Sequence, residues 1–229
     1  MPAVSVEKAK AVISEFVLVD KETNIDRIVL GSENYTKFVN EFWTAKQRQA
    51  NSIHEISYRA CYKPQLPRFF IDIFTKKGDV IYDPFAGRGT TLVEAALMGR
   101  NIVSNDVNPL SAILTKPRLK IPSIDEISNR LDEIDFESLE ADIDLSMFFD
   151  KKTEYEIVSL KNALANSDVD NWIRMVSTNR LTGHSAGFFS GYTLPPNQAT
   201  SQKSQTSINN RLGIVPPYKN TKEIILKKT

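Results

Sequence analysis

The sequence has a single cysteine, Cys61, among 229 residues. No internal disulfide is possible, and a reducing, cytoplasmic setting is the natural reading. No apolar run reaches the length of a membrane span, and the N-terminus lacks a signal-peptide pattern. Net charge is small: 29 Lys+Arg against 28 Asp+Glu give +1. A strongly basic nucleic-acid footprint is absent, so any nucleic-acid contact must come from local patches. Internal repeats and long low-complexity tracts are also missing. What remains is an ordinary globular composition, 41% hydrophobic and 25% charged. The length suits one good core, or one domain with an appendage.

The chain is organised around Asp79-Val-Ile-Tyr-Asp83-Pro84-Phe85-Ala86-Gly87-Arg88-Gly89-Thr90-Thr91, running into Leu92–Met98. The pattern predicts a strand, a tight glycine turn and a helix. Val80, Ile81 and Tyr82 are β-formers in a short apolar run, which suits a buried central parallel strand. Gly87 and Gly89 permit a sharp turn and close backbone approach to a ligand. Thr90 or Thr91 can cap the helix. Its first N–H groups attract a carboxylate or phosphate. Asp83 closes the strand with a negative charge at the same crevice. S-adenosylmethionine (AdoMet) carries matching charges: an ammonium, a sulfonium and a carboxylate.

Other glycine loops fit worse. A dinucleotide fingerprint needs a third glycine where Leu92 stands, and a P-loop needs Gly-Lys-Ser/Thr where Gly89 is followed by Thr90. Asp83-Pro84-Phe85-Ala86-Gly87-Arg88-Gly89-Thr90 resembles motif I of the AdoMet-dependent amino-methyltransferases acting on DNA. The resemblance covers about residues 55–120. It implies an α/β, Rossmann-like methyltransferase sheet, AdoMet as cofactor and DNA as partner, with no membrane and no metal.

Two flanking segments complete the expected cofactor site. Tyr58–Pro67 is similar to the segment that forms the other wall of the AdoMet pocket in this family. By that resemblance Tyr62 and Lys63 lie nearest the cofactor, with simple packing as the alternative. Ile102 and Val103 start a second strand that ends at Asn105-Asp106-Val107-Asn108-Pro109. Asp106 lies 19 positions after Gly87, near the spacing of about 20 for an acid at the end of a second strand. Such an acid accepts from both ribose hydroxyls; a helix N-cap is the other reading. Asn108 and Pro109 would border the adenine. The expected cofactor set is Tyr62, Lys63, Asp83, Pro84, Phe85, Gly87, Gly89, Thr90, Asp106, Asn108 and Pro109.

The rest divides into an N-terminal helical appendage over 1–50, an AdoMet-binding core over 51–120, and a helical and loop region over 121–229 as a possible DNA-contacting part. Tyr35, Phe38, Val39 and Phe42 predict a helix from Ser32 to Gln49. Pro64 and Pro67 mark the start of another, bearing Leu66, Phe69, Phe70, Ile73 and Phe74. Ser123-x-x-Glu126 and Thr153-x-x-Glu156 read as capping boxes. Val169, Trp172, Ile173 and Val176 predict one buried helix face. Asp132 to Asp144 reads as a solvated acidic face. The glycine- and aromatic-rich Gly183–Tyr192 stretch could stack on bases or pack on the core. Gln198 to Asn210 is polar with no apolar period. Basic residues Arg180, Lys203, Arg211, Lys219 and Lys222 suit phosphate contacts or plain surface.

One element is not found. Amino-methyltransferases hydrogen-bond the flipped base from an Asp/Asn/Ser-Pro-Pro-aromatic loop. Val215-Pro216-Pro217-Tyr218 has the prolines and aromatic but no polar residue; Leu194-Pro195-Pro196-Asn197 lacks both ends. Pro216, Pro217 and Tyr218 are therefore weak catalytic candidates. C5 chemistry needs a Pro-Cys nucleophile, and Cys61 follows Ala60. The expectation is an incomplete sheet with helical additions, whose catalytic loop lies in a downstream segment or second chain. Three functions follow from the resemblance. One is a DNA amino-methyltransferase acting on adenine N6 or cytosine N4, of restriction–modification type. The others are an RNA N2-guanine methyltransferase and a non-catalytic AdoMet- or nucleic-acid-binding module.

Overall fold

The computed structural model describes residues 5–44, 50–58, 61–194 and 200–229. They divide into two compact units, one drawn from Met1–Glu55 and Ala60–Asn108, the other from Ile56–Arg59 and Pro109–Thr229. Each unit has its own architecture.

The first unit opens with α1 (Val6–Ser14), capped by Ser5 Oγ accepting from the Lys8 amide. A short antiparallel pair follows, β1 (Val17–Leu18) with β2 (Lys21–Glu22). Next comes a regular antiparallel hairpin of β3 (Asn24–Leu30) and β4 (Glu33–Val39), in register from Asn24↔Val39 to Leu30↔Glu33. The expected helix from Ser32 is thus a strand, and residues 45–49 of that expectation lie outside the described residues. Two residues, Gly31 and Ser32, close the hairpin, and Gly31 supplies the positive φ of 64° that such a turn requires. Local pairing of two β-forming runs outcompeted the helical spacing of the aromatics. The N-terminal appendage is accordingly mixed rather than helical.

Helix α2 (Gln65–Phe74) starts after Pro64, as expected. Its Phe69 ring meets Phe16 and Phe42 at 4.5 and 5.4 Å between centroids, packed beside Ala9, Ile13 and Ile73. Strand β5 (Val80–Asp83), helix α3 (Thr90–Leu97) and strand β6 (Asn101–Ser104) then form a strand–helix–strand unit. The two strands pair in parallel, Val80↔Asn101 through Asp83↔Ser104, as the sequence predicts. Burial is the correction. Among the described residues β5 has one neighbour only, and Val80 and Tyr82 are each 60% exposed. Among the described residues the strand therefore stands at an edge rather than buried in the centre of a sheet.

The second unit is helical: α4 (Leu110–Thr115), α5 (Ile124–Asp132), α6 (Lys151–Ala163), α7 (Asp168–Arg180), α8 (Gln202–Leu212) and α9 (Thr221–Lys228). Its core gathers Leu114, Ile127, Leu131, Leu160, Trp172, Ile173, Phe189 and Ile225. The Ser123–Glu126 capping box forms in both directions. The second box does not: α6 starts earlier, capped by Asp150, which places Thr153 and Glu156 inside the helix. Trp172, Ile173 and Val176 are buried and Val169 half-buried, as their spacing predicts. The Gln198–Asn210 stretch is largely helix, capped by Ser201 and closed by Gly213 at φ 62°. Its buried face is polar. Gln205 bonds Thr193 Oγ1 at 2.6 Å and the Tyr192 carbonyl at 2.9 Å, and Asn209 reaches the Met147 carbonyl at 2.8 Å. No helix is long and apolar enough to cross a membrane among the described residues.

Candidate functional site

The candidate site is the turn between β5 and α3. Gly87 and Gly89 have φ of 52° and 76°, a left-handed geometry that costs any other L-residue about 1 kcal/mol or more. Gly89 is the N-cap of α3 and no side chain caps the helix. The threonines do other work, which corrects the capping expectation. Thr90 Oγ1 accepts from Arg88 Nε at 3.0 Å, and Thr91 Oγ1 is hydrogen-bonded to the Tyr62 hydroxyl. The first-turn amides of α3 therefore have no intrahelical acceptor and no side-chain cap.

Asp83 ends β5, and its Oδ1 accepts from the Phe85 amide at 3.0 Å. Phe85 is 86% exposed and Pro84 half-buried. Asp106, just beyond β6, reaches across to the turn. Its Oδ2 accepts from the Gly87 N–H at 2.7 Å and its Oδ1 from the Asn108 N–H at 2.8 Å. The Asn108 and Gly87 amides hold its carboxyl below the usual aspartate range. Each carboxylate oxygen keeps a further lone pair.

Tyr62 lies against α3 through its bond to Thr91, and burial pushes its hydroxyl above the ordinary phenol range. Its carbonyl accepts from Arg88 at 3.5 Å. Lys63 is half-buried directly before α2, its carbonyl accepting from the Leu66 amide. Cys61 is half-buried, while Arg59 and Ala60 lie outside the described residues. The first unit thus brings together Tyr62, Asp83, Gly87, Gly89, Thr90, Asp106 and Asn108. Pro109 belongs to the second unit, as the N-cap of α4.

Sequence reasoning missed a buried charged cluster that anchors this site. Glu94 of α3 accepts from Arg68 at 3.2 Å and sits 2.8 Å from Nε2 of His54. The signal was a lone acid inside the apolar run Leu92-Val-Glu-Ala-Ala, which a helix facing a core tolerates only with partners.

The weak catalytic candidates lie in the second unit. The Tyr218 hydroxyl donates to Glu156 at 2.7 Å, and Lys152 stands 4.5 Å over its ring. Pro216 packs so tightly on Gly191 that an added Cβ there would meet its Cα at 3.3 Å. Pro195 and Pro196 of the other candidate loop lie outside the described residues. In the Gly183–Tyr192 loop, Phe188 and Phe189 are buried, and Tyr192 is 56% exposed. His184 is exposed, its ring 6.5 Å from that of Phe188. Among the described residues, no group of three or more His, Cys, Asp or Glu could hold a metal ion.

Known proteins bear on this geometry. A DNA methylase family model matches residues 7–115. The Type II methyltransferase M.MjaII of Methanocaldococcus jannaschii is 31% identical over 88 residues, 38% of this chain and 17% of that protein. The Type II methyltransferase M.BsoBI of Geobacillus stearothermophilus is 35% identical over 103 residues, 41% of this chain and 20% of that protein. The tRNA (guanine(10)-N2)-dimethyltransferase of Methanocaldococcus jannaschii is 30% identical over 63 residues, 27% of this chain and 18% of that protein. The matched stretches span about a fifth of these relatives or less. No solved structure matches the chain significantly. Over residues 7–115, this chain is similar to the DNA methylases.

Proposed function

We propose that the chain carries the cofactor-binding part of an AdoMet-dependent DNA amino-methyltransferase, of restriction–modification type, acting in the cytoplasm. The observation that carries this reading is the pairing of the Gly87 N–H with Asp106 at 2.7 Å, beside an uncapped helix start. The residues fit AdoMet. The α3 amides suit its carboxylate. Asp83 suits its ammonium and sulfonium. The spare lone pairs of Asp106 suit the ribose hydroxyls, with Asn108 at the adenine and Tyr62 and Lys63 on the opposite wall. Pro84, Phe85 and Thr90 shape the turn. AdoMet supplies the methyl group; the chain's own residues bind and orient the donor toward an exocyclic amine, N6 of adenine or N4 of cytosine.

The sheet of this reading is Rossmann-like and incomplete. Two parallel strands do not make a stable sheet alone. Val80, Tyr82 and Val103 are exposed, and the outer edge of β5 has no strand partner among the described residues. A strand from a downstream segment or second chain completes it and brings the catalytic loop. Pro216, Pro217 and Tyr218 then serve packing, because the Tyr218 hydroxyl is held by Glu156.

A second reading, RNA N2-guanine methylation, is favoured by the tRNA-modifying relative. A binding module without catalysis is the third. Nucleoside mass spectrometry after incubation with AdoMet and either DNA or tRNA separates them. N6-methyladenine or N4-methylcytosine supports the proposal, and N2-methylguanine replaces it with the second. AdoMet binding by calorimetry with no product from the isolated chain, but product on adding a polypeptide that carries an Asp/Asn/Ser-Pro-Pro-aromatic loop, supports the incomplete sheet. Robust DNA methylation by the chain alone overturns that part.

A further inference from the structure

We infer that a lysine-lined groove in the helical unit is a binding surface for the phosphate backbone of DNA. The groove encloses about 430 Å³ between the C-terminal helix α9 and the glycine loop, with Lys219, Lys227 and Lys228 on its rim and Ile224 in its lining. It lies outside the stretch that matches the methylase family model. The inference rests on the proposed action on DNA and assigns where that substrate is held.

Three lysines and one acid, Glu223, line this groove, so the charge of its lining is net positive. Three lysines elsewhere in the unit are paired, Lys222 with Asp132, Lys120 with Asp168 and Lys151 with Glu140, while Lys116, Lys161 and Lys203 are in no ion pair among the described residues and do not line the groove. Lys219, Lys227 and Lys228 are in no ion pair among the described residues. The acid in the lining, Glu223, is engaged by the Asn220 side-chain amide at 3.1 Å. Two of the three lysines end α9, where the helix dipole also favours cations. The dipole does not explain Lys219, which precedes the helix, nor why the glycine loop closes on these side chains. A Cβ at Gly187 would come within 3.3 Å of Lys228 Cε. Its Nζ would lie 3.9 Å from the same Cβ, so the ammonium end of Lys228 sits against the glycine loop.

Phosphodiester is the anion that suits this arrangement. Lysine ammonium groups act as compact point charges on phosphate. Duplex DNA presents a phosphate about every 1.7 Å of axis, so neighbouring phosphates can engage separate lysines. With a net charge of +1, the chain has no global field to attract DNA, and a local concentration of cations is what its composition requires.

The test is the salt dependence of binding to a fluorescein-labelled DNA duplex, for the wild-type chain and for Lys219→Gln/Lys227→Gln/Lys228→Gln. Between about 50 mM and 200 mM salt, the plot of log K against log salt should become shallower by about 0.9 for each phosphate no longer neutralised, hence by about 2 to 3. Lys203→Gln/Arg211→Gln on α8 should leave the slope nearly unchanged. AdoMet affinity, read by calorimetry, should be the same in all three proteins, and equal melting temperatures show that the variants fold. An unchanged slope and affinity in the triple variant overturns the inference while leaving the cofactor reading intact. Loss of poly-glutamate binding with DNA binding retained also overturns it and makes the groove a site for acidic protein. Absence of both DNA and AdoMet binding in the wild-type chain would instead bring down the proposed function.

Discussion

Nε2 of His54 lies 2.8 Å from Oε1 of Glu94, and both side chains are buried. Glu94 belongs to α3, directly behind the glycine turn, and His54 to a one-turn helix that precedes the Tyr62 segment. Arg68 of α2 closes the cluster on the other carboxylate oxygen. The Nδ1 atom of His54 has no hydrogen-bond partner among the described residues. This cluster and the Tyr62–Thr91 bond fix both walls of the candidate site to one helix.

Glu94→Ala should destabilise the first unit by about 3 kcal/mol, since it orphans two groups around a buried position. Arg68→Ala should cost less than about 1 kcal/mol, because its side chain is 60% exposed. Urea denaturation of both variants checks this. Equal losses would mean that the buried His54 contact contributes nothing.

Acid should weaken the turn at Asp106. Its carboxyl sits below the ordinary aspartate value of 3.8 in the folded chain, through the Asn108 and Gly87 amides. A depressed folded pKa gives stability that is present above the unfolded value and lost as pH falls through the folded one. Asp106→Asn replaces one acceptor oxygen by a donor facing an N–H. Its difference in melting temperature from wild type should be constant above about pH 5 and vanish in acid. In AdoMet calorimetry the same variant should bind at least roughly tenfold more weakly. A melting difference that persists at low pH would show that the charge is not the source.

Phe189 and Tyr192 should separate packing from base contact in the glycine loop. Phe189 is fully buried, so Phe189→Ala should cost about 4 kcal/mol. Tyr192→Ala should change stability by less than about 0.5 kcal/mol, and any effect on binding single-stranded DNA then reports stacking. Chemical denaturation with parallel binding titrations distinguishes the two residues.

Tyr218 should be silent in an alkaline titration until far above ordinary tyrosines. Burial, then the Glu156 hydrogen bond and charge, push its hydroxyl up to about 12. A raised folded pKa contributes stability that is full below the unfolded value of 10.0 and is lost as pH rises through the folded one. Ultraviolet difference titration of wild type and Tyr218→Phe should agree through about pH 11 and diverge above it. The Phe variant should lose about 1 kcal/mol of stability near neutrality. Divergence near pH 10 would refute the contact.

The sequence by itself determined the strand–turn–helix–strand unit from Asp79 to Ser104, the start of α2, the Ser123 capping box and the buried face of α7. These are local signals: positive-φ glycines, short β-forming runs and helical apolar spacing act over a few residues. It also determined that Gly87 and Asp106 belong together, since 19 residues of strand and helix return the chain to the same end of the sheet. Tertiary structure decided the rest. The aromatics from Tyr35 to Phe42 satisfy a helical period, but pairing with β3 supplies a hydrogen-bonded ladder along the whole of β4, whereas an isolated helix of that length is marginal in water. Thr153 and Glu156 look like a cap until residues 62 to 66 positions later occupy them: Tyr218, Lys219 and Thr221 bond both side chains. Helix α8 shows no apolar period because its buried face is satisfied by hydrogen bonds from Gln205 and Asn209 to distant loops. The burial of Glu94 depends on His54, 40 positions earlier, and on Arg68. Such contacts join residues whose separation along the chain carries no periodic trace, so only the folded arrangement reveals them.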